Sequence, residues 1–208
     1  MVDTSNRAEE PALGRPRSAS ARRAILNAID DMLVEQGYAA LTMKGIAERA
    51  GVGRQTVYRW WSNKAEILLE ACAHDAATEL AVALTADPVA DTAKYLVALM
   101  HFLTESVAGA SYRALLGEAQ HDAGVAELLR GNDVLAISAA PLIAHIVDTG
   151  ALTPEISAEE LAADLVGPVV YQVLSGATVP TKAQLRRRAR RFIEYHRGEP
   201  DSTARHRR

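Results

Sequence analysis

Five of six consecutive side chains, Arg54, Gln55, Thr56, Tyr58 and Arg59, carry hydrogen-bond donors or acceptors, and Val57 alone among them is apolar. This is chemistry for recognition. An arginine fork matches O6 and N7 of guanine, a glutamine amide matches adenine by the same two-point geometry, and hydroxyls suit phosphate oxygens. The groups that catalysis or metal binding would need are not arranged for it. The histidines, His74, His101, His121, His145, His196 and His206, show no pair at metal-ligand spacing within one helical turn. There is no Gly-rich phosphate loop and no Gly-x-Ser-x-Gly elbow. No enzyme activity, metal or other cofactor is expected.

The elements that must hold these side chains out follow from spacing. Residues 42–61 read as a helix-turn-helix. Thr42 is placed to cap the first helix through its side-chain oxygen. Ile46, Ala47 and Ala50 form one apolar face at helical intervals, and Ala47 is small where a second helix must cross. Gly51 sits at the sharp turn, a position that often needs positive φ. Val52, Val57 and Trp60 are the expected apolar anchors of the second helix. An ordinary αα-hairpin with a solvated polar face is the bland alternative, but small, glycine and apolar positions all fall where the motif needs them.

The chain has 208 residues, 49% of them hydrophobic and 5% aromatic, and Ala and Leu dominate, which favours helices over sheets. No apolar run approaches the roughly 20 residues needed to span a bilayer, and the N-terminus lacks a signal-peptide core. A single cysteine, Cys72, excludes an internal disulfide and fits a reducing compartment; the expected location is the cytoplasm. The net charge of −3 conceals an asymmetry. Residues 1–64 carry +3, residues 65–180 carry −13 from three basic and sixteen acidic side chains, and residues 181–208 carry +7. A basic reader joined to an acidic body that avoids DNA fits this layout.

The chain reads as all-α. Residues 1–17, with Pro11, Gly14 and Pro16, are expected to be a flexible arm. Helix 1 starts near Ser18 or Ser20, buries Ile25, Ala28, Ile29, Met32 and Leu33, and stops at Gly37. The motif helices lie at about 42–49 and 53–59. A fourth helix, capped by Ser62 or Asn63, runs on past Leu80 and Leu84 to Asp87-Pro88. Further helices are expected at about 88–107, 111–130, 132–149, 158–175 and 181–196, the second of them open to breaks at Gly117 and Gly124, with connections at Gly109, 150–154 and 176–180. The division is a three-helix DNA-binding domain at 18–64, a larger helical domain at 65–197 and a flexible tail at 198–208.

With these residues in hand the chain resembles the TetR family of transcriptional regulators. The likeness rests on Ala24-Ile25-Leu26, Gly37-Tyr38, Thr42, Ile46-Ala47, Ala50-Gly51-Val52, Thr56-Val57-Tyr58 and Lys64 with Ile67-Leu68, and covers roughly residues 18–70. It implies a homodimer whose small N-terminal domains read a palindromic operator in double-stranded DNA, and a larger effector-binding and dimerisation domain whose small-molecule ligand usually relieves repression. Thr56 and Tyr58 then bond phosphates, as their matching positions do in the family. One departure is Arg59-Trp60-Trp61, where the family most often has an aromatic-His-Phe type run; Arg59 adds a donor that changes which bases are read.

The expected DNA-binding set is Thr42, Lys44, Arg54, Gln55, Thr56, Tyr58, Arg59, Trp60 and Lys64, with Arg54 first for base readout and Lys44 and Lys64 at helix starts for phosphate. Arg15 and Arg17 of Gly14-Arg15-Pro16-Arg17 are candidates for a narrow A·T minor groove. The resemblance implies an effector pocket in the larger domain, and Tyr95, Met100, His101, Phe102, Tyr112, His121, His145 and Tyr171 are its polar and aromatic candidates among aliphatic neighbours. Residues 158–175 are apolar nearly all round, so Leu161, Leu165, Val169 and Val173 are expected at a dimer interface; the family resemblance implies that 181–196 completes it as a four-helix contact. Arg186-Arg187-Arg188 reads as the solvated face of that last helix. An activator, an effector-independent DNA binder and a protein-interaction adaptor are the other functions open at this point.

Overall fold

The computed structural model describes residues 15–152 and 155–197, and the side chains from Ala19 onward. Ten α-helices and one short 3-10 helix account for the regular structure among these residues, with no strand. The chain divides after Ile67 into two compact units, and the division falls in the first turn of α4 (Lys64–Glu79).

The first unit holds α1 (Arg15–Gln36), a 3-10 turn at Tyr38–Ala40, α2 (Met43–Arg49) and α3 (Arg54–Tyr58). Ile25, Ala28, Ile29, Met32 and Leu33 are all buried, so the stripe read from the helical period is the core face of α1. Gly37 ends the helix at φ 75°. The start differs from expectation: α1 begins at Arg15, which puts Arg15 and Arg17 in its first turn and not in a flexible arm. Pro16 does not prevent this, because the first N–H groups of a helix have no partner inside it anyway. The rest of the arm, residues 1–14, and the tail, 198–208, lie outside the described residues.

The second unit is built around α5 (Pro88–Glu105), which packs on α6 (Val107–Glu118), α8 (Val134–Asp148), α9 (Ala158–Leu174) and α10 (Lys182–Tyr195); α7 (Ala123–Gly131) sits beside α6. Asp87 caps α5 by accepting from the Ala90 N–H at 2.9 Å, with Pro88 at the first helical position. α10 opens with a capping box: Thr181 Oγ1 accepts from the Gln184 N–H at 3.3 Å, and Gln184 Oε1 accepts from the Thr181 N–H at 2.7 Å.

Three expectations about this unit change. Helix α4 stops at Glu79 and not at Asp87, and Thr85 in the segment that follows is held by α5 and α8. The Thr85 N–H and hydroxyl both donate to the buried Asp91 carboxylate, and His145 Nε2 lies 2.8 Å from the Thr85 carbonyl oxygen. Gly109 is no connection; it is inside α6 with its backbone against α5. A Cβ there would stand 1.7 Å from the Phe102 carbonyl oxygen, so only glycine permits the approach. The break between α6 and α7 spans residues 119–122, and Gly124 is inside α7, where Asp122 accepts from its N–H at 2.7 Å.

Candidate nucleic-acid interface

The turn that aims α3 is closed at both ends. Thr42 Oγ1 accepts from the Gly45 N–H at 3.0 Å and so starts α2. At its far end the Val52 N–H reaches the Ala47 carbonyl at 3.0 Å and the Gly51 N–H reaches that of Glu48 at 3.2 Å, with Gly51 at φ 66°. This pair of bonds around a left-handed residue is the Schellman arrangement, which glycine adopts at least cost. Ile46, Ala47 and Val57 are fully buried, so α2 and α3 meet through the small and apolar positions the spacing assigned. Arg49 and Glu35 form an ion pair from α2 to α1. Their hydrogen bond holds the Glu35 carboxyl below the usual carboxylate range, and the Arg49 charge adds to it.

Held this way, α3 leaves Arg54, Gln55, Tyr58 and Arg59 exposed and Thr56 half-buried. The Arg59 guanidinium lies 4.8 Å from the centre of the Trp60 ring, which steadies it in place. Trp60 itself is half-buried, and the anchor is Trp61, 4% exposed, packed edge-to-face against Trp60 at 5.5 Å with the Arg22 guanidinium 5.9 Å from its ring centre. The apolar anchor thus sits one residue later than the spacing suggested. Val57 at the end of a five-residue helix already fills the position facing α2, and the chain must turn once more before an indole can reach the core. The two candidate lysines separate. Lys44 is exposed and, among the described residues, pairs with Glu48 one turn on at 3.8 Å. Lys64 is half-buried, and its ammonium donates to the Tyr38 carbonyl at 2.9 Å and stands over the Tyr38 ring. Tyr38 as a partner for Lys64 was not visible in the sequence, and of the two tryptophans, both of which could pack, the sequence did not mark Trp61 as the buried one.

The candidate pocket residues have different surroundings in the second unit. Tyr95 and Phe102 are wholly buried and Met100 nearly so, because α5 is covered along most of its length. The Tyr95 hydroxyl is bonded to Ser138 Oγ at 2.8 Å, and burial pushes its pKa up to about 12. His101 is exposed and pairs with Glu105 at 3.5 Å, His121 is exposed after α6, and His145 is bound to Thr85. Tyr112 and Tyr171 share a cleft of about 400 Å³ between α6, the start of α8 and α9. Asp133, Ala163 and Gly167 also line it; sequence reasoning missed them, as a capping aspartate and small helical residues carry no signal for a cleft.

The residues expected at a dimer interface divide as well. Leu161, Leu165 and Val169 are buried inside the protomer and Val173 is half-buried. A helix apolar on two sides gives its four-residue leucine-valine row to its own core. The outward apolar groups are Tyr171 and Leu174 on α9 and Tyr195 on α10, 75%, 53% and 83% exposed. On α10, Arg186, Arg187, Arg190 and Arg191 are exposed as expected, while Arg188 is half-buried and donates to Gln172 Oε1 at 3.0 Å. Among the described residues no three His, Cys, Asp or Glu side chains gather as a metal site, and no helix is long and apolar enough to cross a membrane.

Comparison with known proteins agrees with this geometry. Residues 25–71 match the family model described as bacterial regulatory proteins, tetR family, and residues 82–192 match that of the tetracyclin repressor-like C-terminal domain. The uncharacterized HTH-type transcriptional regulator YdeS of Bacillus subtilis is 35% identical over 164 residues, covering 77% of this chain and 82% of that one. The DNA-binding transcriptional repressor TetR of Mycobacteroides abscessus is 32% identical over 126 residues, covering 57% of this chain and 60% of the other. Among solved structures, the TetR family transcription regulator SCO0332 superposes with a TM-score of 0.71 at 27% identity, covering 84% of this chain and 97% of that one. A capped helix-turn-helix with an outward polar α3, and a second helical unit matched over nearly all of α5 to α10, place this chain in the TetR family of transcriptional regulators.

Proposed function

We propose that the chain is a cytoplasmic homodimeric repressor that binds a palindromic operator through α3 and is released by a small-molecule effector held in its second unit. The observation that carries the reading is the outward row of Arg54, Gln55, Tyr58 and Arg59 on a helix whose inward residue, Val57, is fully buried. Such a row meets base edges and phosphates in a major groove, whereas the centre of a protein interface would be apolar. The repressor named among the relatives supports the sign of regulation.

In this reading Arg54 and Gln55 contact bases, Thr56, Tyr58 and Lys44 contact phosphate, and Arg59, stacked on Trp60, reads an additional base. Thr42 acts by fixing the start of α2. Two copies put two recognition helices on half-sites about one helical turn, or a multiple of it, apart. Selecting bound sequences from a random DNA pool tests this directly. A two-fold symmetric consensus is expected, with transcription from a promoter carrying it rising when the gene is deleted. Recovery of sequences without symmetry, or a fall in transcription on deletion, overturns the dimeric or the repressor part respectively.

A further inference from the structure

We infer that the cleft between α6, α8 and α9 is a binding site for an organic cation with an apolar body, its charged head seated at Asp133 and Tyr112. The inference rests on the reading of the second unit as effector-binding and names the chemistry of the effector. Its first support is shape. Ala162, Ala163 and Gly167 on α9 leave space where larger side chains would close it, while Val166 and Val170 keep the wall apolar. The resulting volume of about 400 Å³ lies in the range that encloses small organic ligands.

The second support is the polar end. Asp133 caps α8, and the recorded bonds from the Leu135 and Ala136 N–H groups, at 3.1 and 2.9 Å, both fall on Oδ1. Oδ2 takes neither of them and belongs to a residue lining the cleft. Tyr112 lines it too. Burial, reinforced by the negative charge of Asp133, raises the pKa of its phenol, so it remains a neutral hydroxyl with an aromatic face. A carboxylate and an aromatic ring that line one cleft can together seat an ammonium group. No basic side chain lines this cleft, and residues 65–180 carry three basic against sixteen acidic side chains. An anionic ligand would meet the Asp133 carboxylate, whose full charge outweighs the partial positive charge of the α8 N-terminus, while a cation is favoured by that carboxylate and by the acidic excess of residues 65–180.

Calorimetry on the full chain with decyltrimethylammonium and decanoate, both below their micelle concentrations, separates the possibilities, since the two share an alkyl body and differ in the sign of the head. The ammonium is expected to bind about 2–5-fold more tightly, the scale of one partly solvated ion pair. Asp133→Asn keeps a good helix cap and is expected to erase that preference while the alkyl chain still binds. Ala163→Leu, a strong helix former that fills the cleft, is expected to abolish binding of both with melting temperature retained. Equal affinity for the two heads, or an ammonium preference that survives Asp133→Asn, overturns the inference. Binding of both that survives Ala163→Leu overturns the location. If the chain binds its selected operator but neither probe, the cleft assignment fails and the regulator reading stands. If the probes behave as expected and no operator is bound, the cleft assignment stands and the regulator reading fails.

Discussion

The Lys64 ammonium donates to the Tyr38 carbonyl at 2.9 Å and lies 4.1 Å from the centre of the same residue's ring. One side chain at the start of α4 therefore fastens the 3-10 turn between α1 and α2. A charged donor to a carbonyl and a half-shielded cation over a ring are both net stabilising. Position at a helix start, which suggested a phosphate ligand, describes Lys64 less well than this contact does.

Replacing Lys64 with Met is accordingly expected to cost about 1–2 kcal/mol of stability in the DNA-binding unit. The salt dependence of DNA binding should hardly change. Lys44→Ala is the counterpart: its exposed ammonium makes a loose surface pair with Glu48, so stability should hold while the log–log salt slope falls by about one unit. Thermal melts and binding at several salt concentrations read both quantities. A unit drop in slope for Lys64→Met with an unchanged melt would return Lys64 to the phosphate contacts.

Arg54→Ala should behave differently from either lysine change. Arg54 is exposed on the first residue of α3, where a fork can reach O6 and N7 of one guanine. The selected operator is expected to lose about 1–3 kcal/mol of binding, with much smaller loss on random DNA. Equal losses on both DNAs would falsify base readout by this residue. For Arg59→Ala the loss should be partly recovered by Arg59→Lys only if stacking on Trp60 matters less than charge.

These side chains show where the sequence was legible. The helical period located the buried row Ile25, Ala28, Ile29, Met32 and Leu33, and the pairing of Thr42 with Gly51 marked both ends of α2, because caps and apolar stripes are local signals. What depends on which element meets which was hidden. Leu161, Leu165 and Val169 are apolar whether they face their own core or a partner, and Tyr95 is aromatic whether it lines a pocket or fills the centre. Gly109 looked like a break, since a glycine that ends a helix and one that lets two backbones touch are the same letter. Lys64 and Tyr38 are 26 residues apart, beyond any periodic pattern.

Gly109 and Gly117 make that contrast measurable. A methyl at Gly109 meets the Phe102 carbonyl oxygen at 1.7 Å, and that oxygen belongs to a packed helix. Gly109→Ala should cost about 3 kcal/mol or more, at the upper end of overpacking. Gly117, near the end of the same helix, has open space around the added Cβ. Gly117→Ala should stabilise by about 0.5–1 kcal/mol through helix propensity alone. Chemical denaturation of the two variants side by side decides it, and a harmless Gly109→Ala would mean that α5 and α6 are less closely packed than described.

Asp91 gives a prediction in pH. Burial alone would raise its pKa, yet the Thr85 backbone and hydroxyl donors and the Lys94 ammonium, 3.0 Å away, hold it below the ordinary carboxylate value. A depressed folded pKa contributes stability that is fully present above the unfolded value, near 4, and is lost as pH falls through the lower folded value. The second unit should therefore weaken below about pH 4, with Asp91 one contributor. Asp91→Asn should cost about 1–3 kcal/mol at neutral pH, from a weakened set of bonds to buried donors. Its deficit relative to the parent should shrink as the parent carboxylate protonates. Melts at pH 7 and pH 3 test the sign, and a deficit that grows towards acid would contradict it.

The last expectation concerns the second copy of the chain. Leu165, 2% exposed, is core, so Leu165→Ala should unfold the protomer by about 2–5 kcal/mol whatever the oligomeric state. Tyr195 and Leu174 are the reverse case, large apolar groups on α10 and α9 that the protomer leaves 83% and 53% exposed. Apolar groups this open are candidates for cover by another chain. Leu174→Asp and Tyr195→Asp are expected to shift the protein towards monomer in sedimentation velocity at micromolar concentration. Helix content by circular dichroism should be retained, because neither side chain holds the protomer's own core. Operator affinity should fall steeply, since each monomer then binds a single half-site without the second to reinforce it. A double variant that sediments as the parent does would exclude this face of α9 and α10 as the contact of the proposed homodimer.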